Sequence, residues 1–391
     1  MEELVEVDTG ELNWNDEEND WVSSNIMSLS EDNKYLFVQI ANKKPAIFRV
    51  DPDKEKGEKI TRLQTVELPS GVCVHAVKAF TGRQGWYMAS SDGSVQCMVM
   101  DGDITLSEKW RHMSTTGKFA KEIYQISDGR ILVNYGDFLE ILSADGRYLF
   151  EVKPLYQEPI DCMAVSASFR VAYTAQKLNA GDQIKQLEGL LSQVPSGNAS
   201  SSQGGLVISA WQLSESYQDQ IGEQGMAVNN RCIAQAWFPY DGVSLQEYIT
   251  VSTMASTLDW KEIYVGFTDG YLGKVTLDQS LNSMDISQIS GLEETNTQWL
   301  FEHPQSASDQ VRCAISTLEW FSDINWLLVH YRDGNARAVK YNPETKSHHS
   351  IVLEQSAEKI CNRDSLGMFI IGDDSLMKIS KKKVGIYLYK E

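Results

Sequence analysis

Positive charge is scarce in this chain: 35 Lys and Arg stand against 54 Asp and Glu, a formal net charge of −19. A face that neutralises phosphates needs the opposite balance, so direct nucleic-acid binding is not expected, nor is adhesion to an anionic membrane. The acidity suits solubility and leaves room for basic partner segments. Long apolar runs are lacking too. Ile324–Tyr331 is far too short to cross a bilayer, so no membrane insertion is expected. The acidic N-terminus has no apolar stretch of the secretory kind. The sequon Asn198-Ala199-Ser200 is therefore read as chance.

Paired cysteines are missing. Cys73, Cys97, Cys162, Cys232, Cys313 and Cys361 form no Cys-x-x-Cys, and most lie in apolar runs. This pattern fits buried free thiols in a reducing compartment, cytoplasmic or nuclear, and not a disulfide framework or a zinc site. Histidines are as few: His75, His112, His303, His330, His348 and His349. The adjacent pair His348-His349 points to opposite faces of a strand and does not converge on one metal. His330, among Trp326, Leu327, Leu328 and Val329, reads as a satisfied core histidine. Asp51-Pro52-Asp53-Lys54-Glu55 has some look of a calcium loop, but its twelfth position is Arg62 and not Glu. No P-loop, Gly-x-Gly-x-x-Gly, Gly-x-Ser-x-Gly or His-Glu-x-x-His is present. No catalytic residue, cofactor or metal site is assigned on this basis, and the protein is not expected to be an enzyme.

What is present is a recurring unit of short strands. The first twenty residues hold nine carboxylates and no cation, so residues 1–23 read as an acidic arm. Within it Glu2–Asp8 alternates well enough to be a strand. From residue 24 to 391 the unit repeats. The first has Ile26–Leu29, the turn Glu31-Asp32-Asn33, Tyr35–Val38 and Ala46–Val50. The second has Val74–Phe80, Trp86–Ala89, the turn Asp92-Gly93 and Val95–Met100. Five more open near Glu122, Cys162, Ile249, Cys313 and Met368. The runs are rich in β-branched and aromatic residues and end at turn signals. Each unit leaves an apolar face exposed unless its neighbours cover it. In the last unit Val384–Tyr389 could be its own fourth strand, but the preferred reading has Glu2–Asp8 supply that strand with Val384–Tyr389 leading outward, because joining the two ends inside one unit offsets the entropy of ring opening.

An insertion, residues 177–205, interrupts the fourth unit. Its Ser/Gly tract Ser196–Gly205 reads as a flexible loop. Before it, Asp182–Val194 is spaced as a short amphipathic helix. Ile184, Leu187 and Leu191 on its apolar face are candidate partner-binding residues.

The turns carry a resemblance. Ser91-Asp92-Gly93, Thr268-Asp269-Gly270 and Arg332-Asp333-Gly334 stand where a second strand gives way to a third, and Gly372-Asp373-Asp374 is a weaker version. Asp-Gly suits such hairpins because glycine accepts positive φ. These pieces resemble the blade turns of WD40 repeats. No Gly-His pair opens the units and no Trp-Asp closes a third strand; Trp211 is the nearest approach. The resemblance implies an all-β, seven-bladed β-propeller, with Asp92, Gly93, Asp269, Gly270, Asp333 and Gly334 as structural turn residues. By fold-level analogy it implies a scaffold of the nuclear-pore, kinetochore or vesicle-tethering kind.

The expectation is therefore a non-catalytic interaction scaffold, a subunit or N-terminal domain of a larger intracellular complex whose partners are other protein subunits. Two alternatives stand beside it: a reader of basic peptides such as histone tails through an acidic face, and a propeller enzyme with its site at the channel mouth. Several carboxylates or histidines meeting at one mouth of the central channel would favour the enzyme. Of the ten tryptophans, Trp86, Trp211 and Trp326 lie inside strands and are expected to be core. Thiol titration in denaturant without reductant should count six free cysteines; four or fewer would contradict the reducing-compartment reading.

Overall fold

The computed structural model describes residues 3–11 and, from residue 26, the chain except 40–44, 52–59, 83, 103–104, 115, 153, 155–157, 167–170, 179–204, 214–230, 240–249, 258–261, 277–296, 302–313, 322–325, 332–335, 343–346, 355–364, 373–374, 381–382 and 391. Among the described residues there is no helix; the structure is all-β, arranged as seven four-stranded antiparallel sheets.

β1 (Glu3–Glu11) stands apart from the strands that follow it. The first sheet runs β2 (Ile26–Leu29), β3 (Tyr35–Gln39), β4 (Ala46–Val50), β5 (Ile60–Thr65). The second runs β6 (Val74–Ala79), β7 (Gly85–Ser90), β8 (Ser94–Asp101), β9 (Thr105–Met113). The third runs β10 (Glu122–Gln125), β11 (Ile131–Asn134), β12 (Leu139–Leu142), β13 (Tyr148–Val152). The fourth runs β14 (Ile160–Ser166), β15 (Val171–Leu178), β16 (Gly205–Gln212), β17 (Arg231–Pro239). The fifth runs β18 (Val251–Ser256), β19 (Glu262–Phe267), β20 (Leu272–Thr276), β21 (Thr297–Phe301). The sixth runs β22 (Ile315–Phe321), β23 (Trp326–Tyr331), β24 (Ala336–Asn342), β25 (Ser347–Glu354). The seventh runs β26 (Ser365–Gly372), β27 (Ser375–Ser380), β28 (Lys383–Lys390) and then β1, which pairs with β28. The preferred reading of the last unit, in which the N-terminal segment supplies its fourth strand, matches this pairing; Val384–Tyr389 does not lead outward but is the third strand of the sheet, inside β1.

The middle strands explain the sequence pattern. β3, β7, β11, β12 and β23 are buried at every position. Strands covered on both faces read as continuous apolar runs instead of alternating ones. The faces still alternate, as the period of two demands. On β7, Trp86 and Met88 pack with Tyr35, Phe37 and Ile47 of the first sheet, while Tyr87 and Ala89 pack with Ile131 and Val133 of the third. On β11, Leu132 turns the other way, to Ala172 and Trp211 of the fourth sheet. On β15, Tyr173 joins Ile263 and Val265 of the fifth, and on β19, Tyr264 joins Leu327 and Val329 of the sixth. Each core therefore lies between two consecutive sheets. The interior tryptophans Trp86 and Trp211 are fully buried there, and Trp326 is buried in β23. The outer strands β5 and β9 are mostly half-buried or exposed.

First strands of successive sheets are neighbours: β2 with β6, β6 with β10, β10 with β14, β14 with β18, β18 with β22. Contacts between β23 and β26 and between β1 and β5 extend the series. A first strand has a partner on one side only, and its other edge must be satisfied from elsewhere. Gln39, at the end of β3, does this for β6: its amide donates to the Val74 carbonyl at 3.3 Å and accepts from the Val74 N–H at 3.2 Å. Ser28 Oγ accepts from the Ala79 N–H at 3.1 Å on the same strand.

The helix expected at Asp182–Val194, with Ile184, Leu187 and Leu191, lies outside the described residues, as do Asp333 and Gly334. Gln39→Ala strands the Val74 amide and carbonyl without a protein partner. It should cost about 1–3 kcal/mol, the penalty of a buried polar group left unmade, read as a lower urea midpoint. An unchanged midpoint would show that water reaches Val74 and the amide contributes nothing.

Candidate functional site

Two of the turns singled out in the sequence are described, and their chemistry is local. Asp92 Oδ1 accepts from the Ser94 N–H at 3.0 Å and from its hydroxyl at 2.6 Å. Gly93 takes φ +83°, and a Cβ there would meet the Lys118 carbonyl at 3.2 Å. Asp269 Oδ1 accepts from the Tyr271 N–H at 3.3 Å, and Gly270 takes φ +87°. A carboxylate accepting from the amide two residues on is an Asx turn. Burial alone would raise the Asp92 pKa, but the Ser94 hydrogen bonds and nearby Arg111 outweigh it, and the net direction is down.

The residue before each Asp ties the turn to the entry of its own sheet. Ser91 Oγ accepts from the Cys73 N–H at 3.0 Å, and the Ser91 N–H donates to the Cys73 carbonyl at 2.8 Å. Thr268 and Thr250 repeat the exchange, both bonds at 3.0 Å. These residues hold hairpins, and nothing in their geometry points to a ligand. The sequence reading passed over Asp128-Gly129 and Asp145-Gly146, where glycine φ is +87° and +82°. Their dipeptides were the available signal.

The constellation with chemical content lies on the first strands. Lys78 comes from β6, Glu122 and Tyr124 from β10, Asp161 from β14 and Glu319 from β22. Glu122 and Tyr124, two apart on one face, both reach Met163 of β14. The Tyr124 hydroxyl donates to the Met163 carbonyl at 3.0 Å. The Glu122 carboxylate accepts from Asn134 Nδ2 at 2.8 Å and from the main chain of Met163. As with Gln39, side chains of one sheet saturate the free edge of the next. Burial pushes Glu122 up to about 7 against the pull of Asn134, Met163 and Lys121.

Lys78 lies over the Tyr124 ring, Nζ 5.5 Å from its centre. Burial raises the pKa of Glu319, and the Lys78 charge pulls against it. Tyr124 is raised by burial first, then by Glu122, Cys162 and Glu319. Burial raises Asp161 as well, with Lys121 and Lys177 opposing. First strands of the second, third and sixth sheets thus bring Lys78, Glu122 and Glu319 within electrostatic reach of Tyr124, whereas Asp161 of the fourth interacts with Lys121, Lys177 and Glu158. Sequence reasoning missed all five. The signal was a charged residue inside an apolar strand, as in Leu318-Glu319-Trp320. Among the described residues no group of three or more His, Cys, Asp or Glu is arranged to hold a metal ion.

A second feature is on the rim. Phe119 and Met113, in and beside the β9–β10 connection, are 50% and 52% exposed. The Phe119 ring stacks on His75 with centroids 4.6 Å apart and planes 19° from parallel. Lys118 pairs with Asp137 of the β11–β12 turn, and the Ser114 N–H donates to the Gly93 carbonyl at 3.3 Å. The connection is therefore pinned to the turns on either side of it. Deeper in, His112 Nε2 lies 3.1 Å from Glu140 Oε2, a carboxylate 1% exposed, and this pair joins β9 to β12.

Comparison with known proteins gives no further guidance: no protein-family model matches the chain, and no curated protein matches its sequence.

The buried carboxyl makes a pH prediction. Folded Glu122 titrates near 7 and the unfolded chain near 4.5. Between those values the folded state holds a proton that the unfolded state has released, so stability falls as pH rises through the window and stays lower above it. Glu122→Gln removes this dependence. Its Tm relative to wild type should rise by about 1–2 °C between pH 5 and pH 8, measured by calorimetry. A constant offset would show that the carboxyl titrates normally.

Proposed function

We propose that the seven sheets are the blades of a closed, WD40-like β-propeller, and that this ring is a non-catalytic scaffold binding other protein subunits within a larger intracellular assembly. Three observations support the ring reading: the order of neighbouring first strands, the cores shared by consecutive sheets, and a seventh sheet built from both the beginning and the end of the sequence. The interaction reading rests on the rim. An aromatic side chain half exposed and stacked on an imidazole, with a second exposed hydrophobic, Met113, at the end of β9, has the make-up of an interface anchor. Phe119 is also pre-positioned, because its connection is tied to the Gly93 and Asp137 turns, which lowers the ordering cost of docking.

The first-strand constellation gives the enzyme reading its own observation, since a carboxyl near pH 7 suits general acid–base work. The geometry favours the scaffold. Glu122 and Tyr124 spend their hydrogen-bonding capacity on Met163 and Asn134, so both are committed to joining the third and fourth sheets. Asp161 and the net charge of −19 favour basic segments among the partners. We place the protein in the cytoplasm or nucleus, in keeping with cysteines spaced without a Cys-x-x-Cys and with Cys73, Cys97 and Cys162 free among the described residues.

The test replaces Phe119 and Met113 with Glu and compares proteins retained from native extract by mass spectrometry. Wild type should retain a stoichiometric set that the double variant loses, with Tm shifted by no more than about 1–2 °C, as for exposed sites. Identical partner sets would remove the rim from the reading.

A further inference from the structure

Six of the seven sheets receive their outermost strand from the residues that directly follow their third. In the seventh the outermost strand is β1, which arrives from the other end of the sequence. A hairpin fixes register through its turn; β1 has no turn to β28, so its register must be set by the strands themselves. The register sets Glu3 opposite Lys390 and Glu11 opposite Lys383, a carboxylate against a lysine at each end of the ladder. In the other six outermost ladders no described register position sets a carboxylate against a lysine or arginine. The composition is as one-sided. β1 carries Glu3, Glu6, Asp8 and Glu11 and no cation, while β28 carries two lysines, follows Lys381-Lys382 and has no carboxylate. Directly opposed residues share a face of the sheet, where opposite charges attract and like charges repel. A slip of one residue would break both end pairs and turn every side chain of β1 to the other face.

We propose that the outer edge of β28 is a docking surface selective for an acidic extended strand, filled in cis by Glu3–Glu11 and able to take an acidic β-strand segment of a partner in its place. Main-chain hydrogen bonds along the edge supply affinity for any extended chain, and Lys383 and Lys390 select for carboxylates eight residues apart in that chain. The cis strand competes at the high effective concentration of a tethered segment, so a partner strand succeeds when β1 is weakened or drawn away. The inference depends on the pairing of the seventh sheet alone. It stands or falls apart from the Phe119 rim.

The experiment uses the full chain and a labelled peptide of sequence Glu-Leu-Val-Glu-Val-Asp-Thr-Gly-Glu, followed by fluorescence anisotropy. Glu3→Lys with Glu11→Lys places like charges at both ends of the ladder. This variant should melt lower than wild type and bind the acidic peptide about tenfold tighter, with affinity falling as salt is added. A peptide with lysine at its first and last positions should not bind it. Adding Lys383→Glu and Lys390→Glu to the same variant reverses both pairs; it should restore the wild-type Tm and again exclude the acidic peptide. Three results would each overturn the proposal: an unchanged Tm in the Glu3→Lys/Glu11→Lys variant, no acidic-peptide binding once its Tm has fallen, or equal binding of the two peptides. Failure of the charge-reversed quadruple variant to recover its Tm would do the same.

Discussion

The free edge of a first strand is the constraint on which much else in this molecule depends. Antiparallel pairing satisfies each first strand on one side and leaves a row of amides and carbonyls on the other. No strand of the neighbouring sheet adds to that row. Side chains do the work: the Gln39 amide meets both polar groups of Val74, and Glu122 with Tyr124 meets both polar groups of Met163. Backbone amides closing a hairpin need no particular residue. Here particular polar residues are needed at particular places, and each one fixes the position of one sheet against the next.

That requirement explains the unusual electrostatics. A carboxylate placed to accept a main-chain N–H between two sheets is taken out of water, and burial raises its pKa even as the hydrogen bond lowers it. Glu122 is where burial wins. At the Asp92 turn the balance reverses: burial pushes its pKa up, but the hydrogen bonds from Ser94 and the charge of Arg111 together outweigh it, so the pKa falls. One residue chemistry thus has opposite tendencies in two places. Turns, entries and rim form one connected body, since Ser91 ties the β7–β8 turn to Cys73 and Gly93 accepts from the connection that carries Phe119. A rigid rim of this sort suits recognition better than a flexible one, because little freedom remains to be lost on binding.

The strands were largely legible, and for a clear reason. Tyr35–Val38, Trp86–Ala89 and Trp326–Tyr331 are short β-branched and aromatic runs between turn residues, and they lie within β3, β7 and β23. Asp92-Gly93 and Asp269-Gly270 were legible because a positive φ selects glycine and an Asx turn selects Asp, both local demands. The grouping of Lys78, Glu122, Tyr124 and Glu319 was not legible. Its members are separated by as much as the interval from 78 to 319, and no spacing in a sequence encodes which strands lie side by side. Single polar residues inside apolar strands were visible, yet only assembly shows that they share a space. The seventh sheet was legible in part: the N-terminal segment was the preferred outer strand, but its pairing with β28, which makes Val384–Tyr389 the third strand, was not.

By itself, then, the sequence determined the elements: an all-β chain, the location of most strands, two of the glycine turns, and tryptophans destined for the interior. These follow from interactions within a few residues, where periodicity and backbone preference act. Tertiary structure alone decided which side chain completes which edge, that β1 pairs with β28 in the register that sets Glu3 opposite Lys390 and Glu11 opposite Lys383, and that Glu122 is held near pH 7. Each of those depends on a neighbour distant in sequence and on the water that neighbour displaces, and neither is written in any local pattern.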